Sequence, residues 1–242
     1  MKILALDCST DMCSVALLQQ QGDESVVQQK LENAARQHTQ RLLPLVDELL
    51  LEANVSLAQL DAIAFGRGPG SFTGLRICLG AVQGLAFGAD LPVLAVSTLE
   101  AQAQTWLDSL PSSLSKKDQL STAPYILSSL DARMDEVYWA LYQTTEDGLH
   151  LIGDERLTAP EQLLAGHDIQ RRDVNGLGSA SHYASQIKHF ESYACWDTTV
   201  QPTAAAVARL GLRDFHLGKQ CSADQALPVY LRDEVAWQKQ KV

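Results

Sequence analysis

The chain has 242 residues, is 46% apolar and carries a formal net charge of -10 at pH 7. That length suffices for one large core or two modest ones, since domains commonly run to ~100–150 residues. The negative balance opposes unaided binding to a polyanion, because nucleic-acid affinity rests on Lys and Arg releasing condensed counterions, so any RNA contact is expected to need a second protein.

The continuously apolar run Ile3–Leu6 ends at Asp7 and suits a strand covered on both faces, with Ser14–Leu18 as its hairpin partner. A third strand is expected over Glu24–Leu31, then a helix over Thr39–Ala53, a strand at Ala62–Phe65, a helix over Thr73–Gly88 and a strand at Pro92–Val96. Ser97-Thr-Leu-Glu100 opens the next helix with a capping-box spacing, in which serine and glutamate side chains satisfy free backbone N–H groups reciprocally. The order is βββαβαβα. Asp108–Pro124, rich in Ser, Pro and charge, reads as a connector.

Beyond it, Tyr125–Leu130 ends at Asp131 and Val137–Tyr142 returns as a second hairpin; Asp7 to Ala16 and Asp131 to Ala140 have the same separation. A strand near Leu149–Gly153 follows, then a helix opening at Thr158-Ala-Pro-Glu161, a strand at Val174–Leu177, a helix over Ala180–Phe190, a short strand at Tyr193–Trp196, and a helix over Thr203–Leu217 closed by Gly218. The same βββαβαβα order recurs, which predicts an α/β protein of two tandem ribonuclease-H-like lobes in the actin-like ATPase architecture. The lobes are expected at 1–107 and 125–218, with 108–124 between them and 219–242 returning to the first. In such folds the cleft between lobes holds ATP. Asp7, Ser9 and Thr10 of one turn and Asp131 of the other are the candidate cleft residues, joined by Gly176 and Gly178 at a strand-to-helix junction. Each aspartate equally suits a turn, accepting backbone N–H bonds.

The stretch Gly66-Arg-Gly-Pro-Gly-Ser-Phe-Thr-Gly-Leu-Arg76 holds four glycines but lacks the lysine of a Walker A loop, the Gly-x-Gly-x-x-Gly spacing and the Gly-x-Ser-x-Gly elbow. It is expected to be a tight strand-to-helix turn. In the helix that follows, Thr73, Arg76, Gly80, Gln83 and Gly84 share one side. Gly80, Gly84 and Gly88 each cost up to ~1 kcal/mol of helix propensity, a cost that a closely packed neighbouring helix would offset. In the preceding helix Leu42, Leu43, Leu45, Val46, Leu49, Leu50 and Ala53 span an arc of roughly 160°, wider than one core face requires. Both a fully buried core helix and an association surface fit that arc.

Cys8, Cys13, Cys78, Cys195 and Cys221 are odd in number and form no Cys-x-x-Cys pair, so neither a disulfide framework nor a zinc site is indicated, and a reducing cytoplasm is expected. Only four apolar residues separate Lys2 from Asp7, far short of a signal-peptide core. No run is expected to reach the ~18–20 apolar residues of a membrane span. His38 lacks a second imidazole four residues away, at Ala34 or Leu42, so no metal site is expected.

Ile3–Thr10, Arg36–Leu45, Gly66–Arg76, Asp131–Tyr138 and Pro228-Val-Tyr-Leu-Arg232 together closely resemble the TsaB (YeaZ) family, from end to end of the chain. The resemblance implies an actin-like fold without catalysis of its own, acting in the formation of N6-threonylcarbamoyladenosine in tRNA beside the anticodon. It implies a heterodimer with the catalytic TsaD through the helices Thr39–Ala53 and Thr73–Gly88, with the ATPase TsaE as third member, a homodimer when alone, and tRNA contact only through the complex. The interface residues are then Leu42, Leu45, Val46, Leu49 and Leu50 of one helix and Thr73, Arg76, Ile77, Gly80, Gln83 and Gly84 of the other. The fold leaves room for ATP or ADP in the interlobe cleft or at the complex interface and requires neither. The competing expectation is an ATP-hydrolysing or kinase-like enzyme using Asp7 and Asp131.

Overall fold

The computed structural model describes residues 1–111 and 123–232. Most of the expected connector, and the last ten residues of the expected returning segment, lie outside the described residues.

The first sheet is built from β1 (Lys2–Asp7), β2 (Met12–Gln21), β3 (Glu24–Asn33), β4 (Ala62–Gly66) and β5 (Val93–Val96), in the order β3-β2-β1-β4-β5. The hairpin strands pair antiparallel, with Leu4 opposite Leu17, while β4 and β5 join in parallel. Because successive side chains of a strand point to opposite faces, β1 feeds two cores at once. Leu4 and Leu6 meet α1 (His38–Glu52) and α2 (Phe72–Ala89), and Ile3 and Ala5 meet the opposite layer. The second sheet repeats the plan with β6 (Tyr125–Arg133), β7 (Glu136–Thr145), β8 (Gly148–Thr158), β9 (Val174–Gly178) and β10 (Cys195–Asp197), in the order β10-β9-β6-β7-β8. The two sheets therefore share one topology, and the expected α/β duplication is present.

The last helix of each half crosses to the other. α3 (Thr98–Ser109) puts Leu99, Ala103 and Trp106 against Ile126, Leu130 and Tyr142 of the second sheet. α4 (Ala204–His216) puts Ala204, Val207 and Leu210 against Ile3, Ala5 and Ala16 of the first. Chain order assigns α4 to the second lobe, whereas its apolar face lies on the first sheet. The exchange is held by polar contacts as well. Gln102 of α3 is wholly buried, accepts from the Ser128 hydroxyl (2.6 Å) and the Ser129 N–H (3.1 Å), and donates to the Val200 carbonyl (2.9 Å). Ser97 caps α3 through the Glu100 N–H at 3.2 Å, but Glu100 does not reciprocate as a capping box would, because its carboxylate pairs with Arg213 of α4.

Two expected helices are not formed. Thr158–Glu161 opens only a 3-10 turn at Pro160–Gln162, since Leu164 is already left-handed (φ 61°) and Gly166 follows (φ 82°). Ala180–Phe190 yields a 3-10 turn at Ser179–Tyr183 and further turns, ending at His189 with φ 54°. Ser, His and Tyr are modest helix formers, and a segment of this length does not repay helix nucleation without extensive tertiary support. Tyr183, Ile187 and Phe190 still pack inward against the second sheet, so the apolar spacing marks burial without marking a helix.

A Cβ added at Gly211 of α4 would come within 2.8 Å of the Ala64 Cβ on β4. Gly211→Val should therefore lower stability by about 1–3 kcal/mol through overpacking, measured by urea denaturation. Unchanged stability would contradict the packing of α4 on the first sheet.

Candidate functional site

Two features stand out on the surface, the outer face of α2 and the cleft between the lobes. α1 contributes less to the first than the sequence suggests. Leu42, Leu45, Val46, Leu49 and Leu50 all belong to the first-lobe core, so the wide arc of α1 is core, and of its apolar residues only Leu43 (47% exposed), Pro44 and Leu51 (83% exposed) face out. α2 buries one stripe, Leu75, Cys78, Val82 and Ala86, and turns Thr73, Arg76, Gly80 and Gly84 outward, with Ile77 and Gln83 half-buried at the margins. Phe87, 86% exposed, and Gly88 extend that face. With 18 residues, α2 is long and apolar enough by composition to cross a membrane, a correction to the sequence expectation, and its buried stripe of Leu75, Cys78, Val82 and Ala86 holds it on the first lobe.

The glycine loop places this helix. Ser71 caps α2, accepting from the Gly74 N–H at 3.3 Å, and its own N–H donates to the Ser9 carbonyl at 2.7 Å. Its hydroxyl thus serves as a helix cap. Side chains at Gly66, Gly70 and Gly74 would collide with Asp7, the Ser9 carbonyl and the Cys8 carbonyl respectively, and Gly68 has φ 105°. The glycines let the loop lie directly on the β1–β2 turn. His38, at the start of α1, is buried and lies 3.3 Å from the Met12 carbonyl, which explains it as a packing residue.

The cleft, about 1190 Å³, opens where the β1–β2 turn and the α2 loop face the β6–β7 turn. Of the expected residues, Ser9, Thr10 and Asp131 line it, and Asp7, Gly176 and Gly178 do not. Gly176 is roofed by the Trp196 ring, and a side chain on Gly178 would strike Ser129 and Gln102, so this junction contributes Ser179 to the cleft in their place. Arg133, of the same turn as Asp131, lines it too, and sequence reasoning missed Tyr138, His182, Gln201 and Arg232, which meet there from distant parts of the chain. Asp131 accepts from the Arg133 N–H (2.8 Å), the Tyr183 hydroxyl (3.0 Å) and the Arg133 guanidinium (3.2 Å). It stabilises a turn in which Arg133, Met134 and Asp135 all adopt left-handed conformations, φ 62°, 57° and 58°.

Asp7 makes the matching contact in the first lobe. Its Oδ1 accepts from the Ser9 N–H (3.1 Å) and hydroxyl (2.8 Å), while Oδ2 has no hydrogen-bond partner and is covered by Gly66. The unpaired Thr98 hydroxyl faces the same point above Gly66. Burial pushes the Asp7 carboxyl up to about 6, against the opposing pull of the Ser9 hydrogen bonds. The folded chain therefore holds this proton more tightly than the unfolded chain. Stability from this group is highest below pH ~4 and declines as pH rises through 6, by about 3 kcal/mol in all. Asp7→Asn keeps the acceptor for Ser9 and removes the buried charge, so urea denaturation between pH 4 and 8 should show that decline in the parent and not in the variant. Identical profiles would assign the decline to another group.

A family model described as TsaD, tRNA N6-adenosine threonylcarbamoyltransferase, matches residues 28–239. The tRNA threonylcarbamoyladenosine biosynthesis protein TsaB of Escherichia coli (strain K12) is 38% identical over 248 residues, covering 99% of this chain and 98% of the relative. Its namesake in Haemophilus influenzae is 36% identical, with 98% and 96% covered. Among solved structures, YeaZ from Pseudomonas aeruginosa is 39% identical with a TM-score of 0.79, covering 95% of this chain and 99% of that one. A second Pseudomonas aeruginosa structure, described as similar to peptidase YEAZ, is 41% identical with a TM-score of 0.82, with 96% and 99% covered. The duplicated lobes, the glycine loop folded onto the first turn and identity running the length of the chain make this protein a member of the TsaB (YeaZ) family of tRNA threonylcarbamoyladenosine biosynthesis proteins.

Proposed function

We propose that the chain is the non-catalytic partner subunit of the cytoplasmic assembly that forms N6-threonylcarbamoyladenosine in tRNA, docking the catalytic TsaD through the outer face of α2 and working with the ATPase TsaE. The observation that carries this reading is the openness of three glycines. Among the described residues nothing lies within 4 Å of a side chain at Gly80, Gly84 or Gly88, whereas Gly66, Gly74 and Gly211 are glycines because their own chain leaves no room for a side chain. Three glycines cost α2 up to about 3 kcal/mol of helix propensity, and no contact among the described residues offsets it. A helix laid across the notch would, since glycine lets two backbones approach closely. TsaD is the occupant of choice because the chain matches its family model, so related lobes can present related faces to one another; a second copy of the chain fills the same role when TsaD is absent. The net charge of -10 is consistent with tRNA being met through the assembly.

Against the ATP-hydrolysing alternative stands the enclosure of Asp7, which gives its carboxylate no path to a cleft ligand. ATP or ADP bound in the cleft would on this reading serve structure or regulation. ATP turnover by the purified chain, abolished in Asp7→Ala, would favour the enzyme instead.

Gly80→Ala and Gly84→Ala should each stabilise the isolated chain by about 0.5–1 kcal/mol, because they add helix propensity in open space. Gly80→Phe with Gly84→Phe should leave the circular dichroism spectrum unchanged and abolish co-purification with TsaD, along with the tRNA modification that TsaD, TsaE and this chain reconstitute. Retained co-purification would refute the docking face.

A further inference from the structure

The stretch from Ala226 to Arg232 touches the docking helix at one end and the strained turn of the other lobe at the other. Gln83 of α2 donates to the Ala226 carbonyl (3.1 Å), and the Val229 N–H donates to the Arg67 carbonyl (2.8 Å). Tyr230 lies beside Phe72, ring centroids 5.3 Å apart, and its hydroxyl accepts from Arg76 Nε at 3.1 Å. The Arg76 guanidinium is itself stacked 3.9 Å above Phe72. Two residues later Arg232 reaches across the cleft, donating to the Ala132 carbonyl (3.1 Å), the Arg133 carbonyl (3.3 Å) and the Glu136 carboxylate (2.6 Å).

These contacts matter because of what they hold. A non-glycine residue in the left-handed region is strained by its Cβ and persists only where its surroundings over-determine it. The β6–β7 turn carries three such residues in succession. Asp131 restrains it from within its own lobe, and Arg232 is the restraint that comes from the segment attached to α2. Arg76 meanwhile lies one helical turn from Gly80, and with Phe72 and Tyr230 it also lines the cleft, so a partner seated in the glycine notch would border, with the exposed Leu227, a cluster that already forms part of the cleft wall.

We infer that Ala226–Arg232 is a mechanical link through which occupation of the α2 face tightens the β6–β7 turn that lines the cleft. The inference rests on the docking face proposed above and adds its regulation: binding on the outside of the first lobe is coupled to the order of this turn, and anything that stabilises the turn strengthens docking in return.

Hydrogen–deuterium exchange over residues 130–137 tests it, using the full chain alone and saturated with the TsaD of the same organism. In the parent, TsaD should slow exchange of the turn amides by about tenfold. In Arg232→Ala, and in the milder Glu136→Gln that loosens the same contact from the turn side, TsaD should still bind at saturation, with affinity reduced by a similar factor, but the slowing should be lost. If TsaD fails to bind the parent, the docking reading itself has failed. If TsaD binds the parent without slowing these amides, or if both variants transmit the slowing undiminished, the docking face stands and the link is overturned. Loss of all binding in both variants would also overturn it, since the segment would then be part of the docking surface alone.

Discussion

The structure depends on the contact between the glycine loop and the β1–β2 turn. Gly70 and Gly74 lie against the carbonyls of Ser9 and Cys8, and the Ser71 N–H donates to Ser9, so the start of α2 is fixed to the end of β1 by backbone atoms alone. A helix anchored in this way has no rotational freedom about its axis. Leu75, Cys78, Val82 and Ala86 must enter the core, and the glycines four apart must face outward. The same contact brings Gly66 over Asp7, removing that carboxylate from the cleft and raising its proton affinity. One packing event therefore sets both the outward face of the first lobe and the chemistry withheld from the cleft.

Duplication explains why the two aspartates look like a catalytic pair. Asp7 ends β1 and Asp131 lies two residues before the end of β6, and each accepts the N–H two residues on, from Ser9 and from Arg133. That turn hydrogen bond is shared, and the lobes then diverge. The first turn is sealed by glycine, and the second is open, strained and braced by Arg232. Exchange of α3 and α4 makes neither half independent, because each sheet closes one face with a helix from the other half of the chain. Gln102 and the pair between Glu100 and Arg213 satisfy the polar groups that this crossing buries, as a low-dielectric interior requires.

The glycines of this chain fall into two populations with opposite physical meaning. Where an added side chain would meet backbone or a neighbouring strand, as at Gly74 and Gly211, glycine is demanded by the fold. Where no described residue lies above it, as along α2, glycine lowers helix propensity without any packing demand from the fold, and this is the feature on which the proposed docking rests. That contrast, more than apolarity, separates a docking face from a core face. α1 illustrates the point, since its broad leucine arc is consumed almost entirely by its own lobe and leaves Leu43 and Leu51 outside.

The strands, their order along the chain and the duplication were legible in the sequence, because continuously apolar runs bounded by turn residues act locally and the hairpins beginning at Ile3 and Tyr125 repeat the same spacing. The α2 face was legible too, since helical geometry alone puts Thr73, Arg76, Gly80 and Gly84 on one side. The failures were tertiary. Ala180–Phe190 has helical apolar spacing, yet its burial is achieved by turns, and spacing reports which residues go inward without reporting the backbone that takes them there. The enclosure of Asp7, the meeting of Arg232 with Ala132 and Glu136, and the crossing of α3 and α4 join residues separated by tens of positions in the chain. Local propensity is decided within a few residues, whereas these contacts exist only once whole layers have packed, which is why the sequence determined the lobes and the outward helix, and the tertiary structure alone decided what the cleft contains.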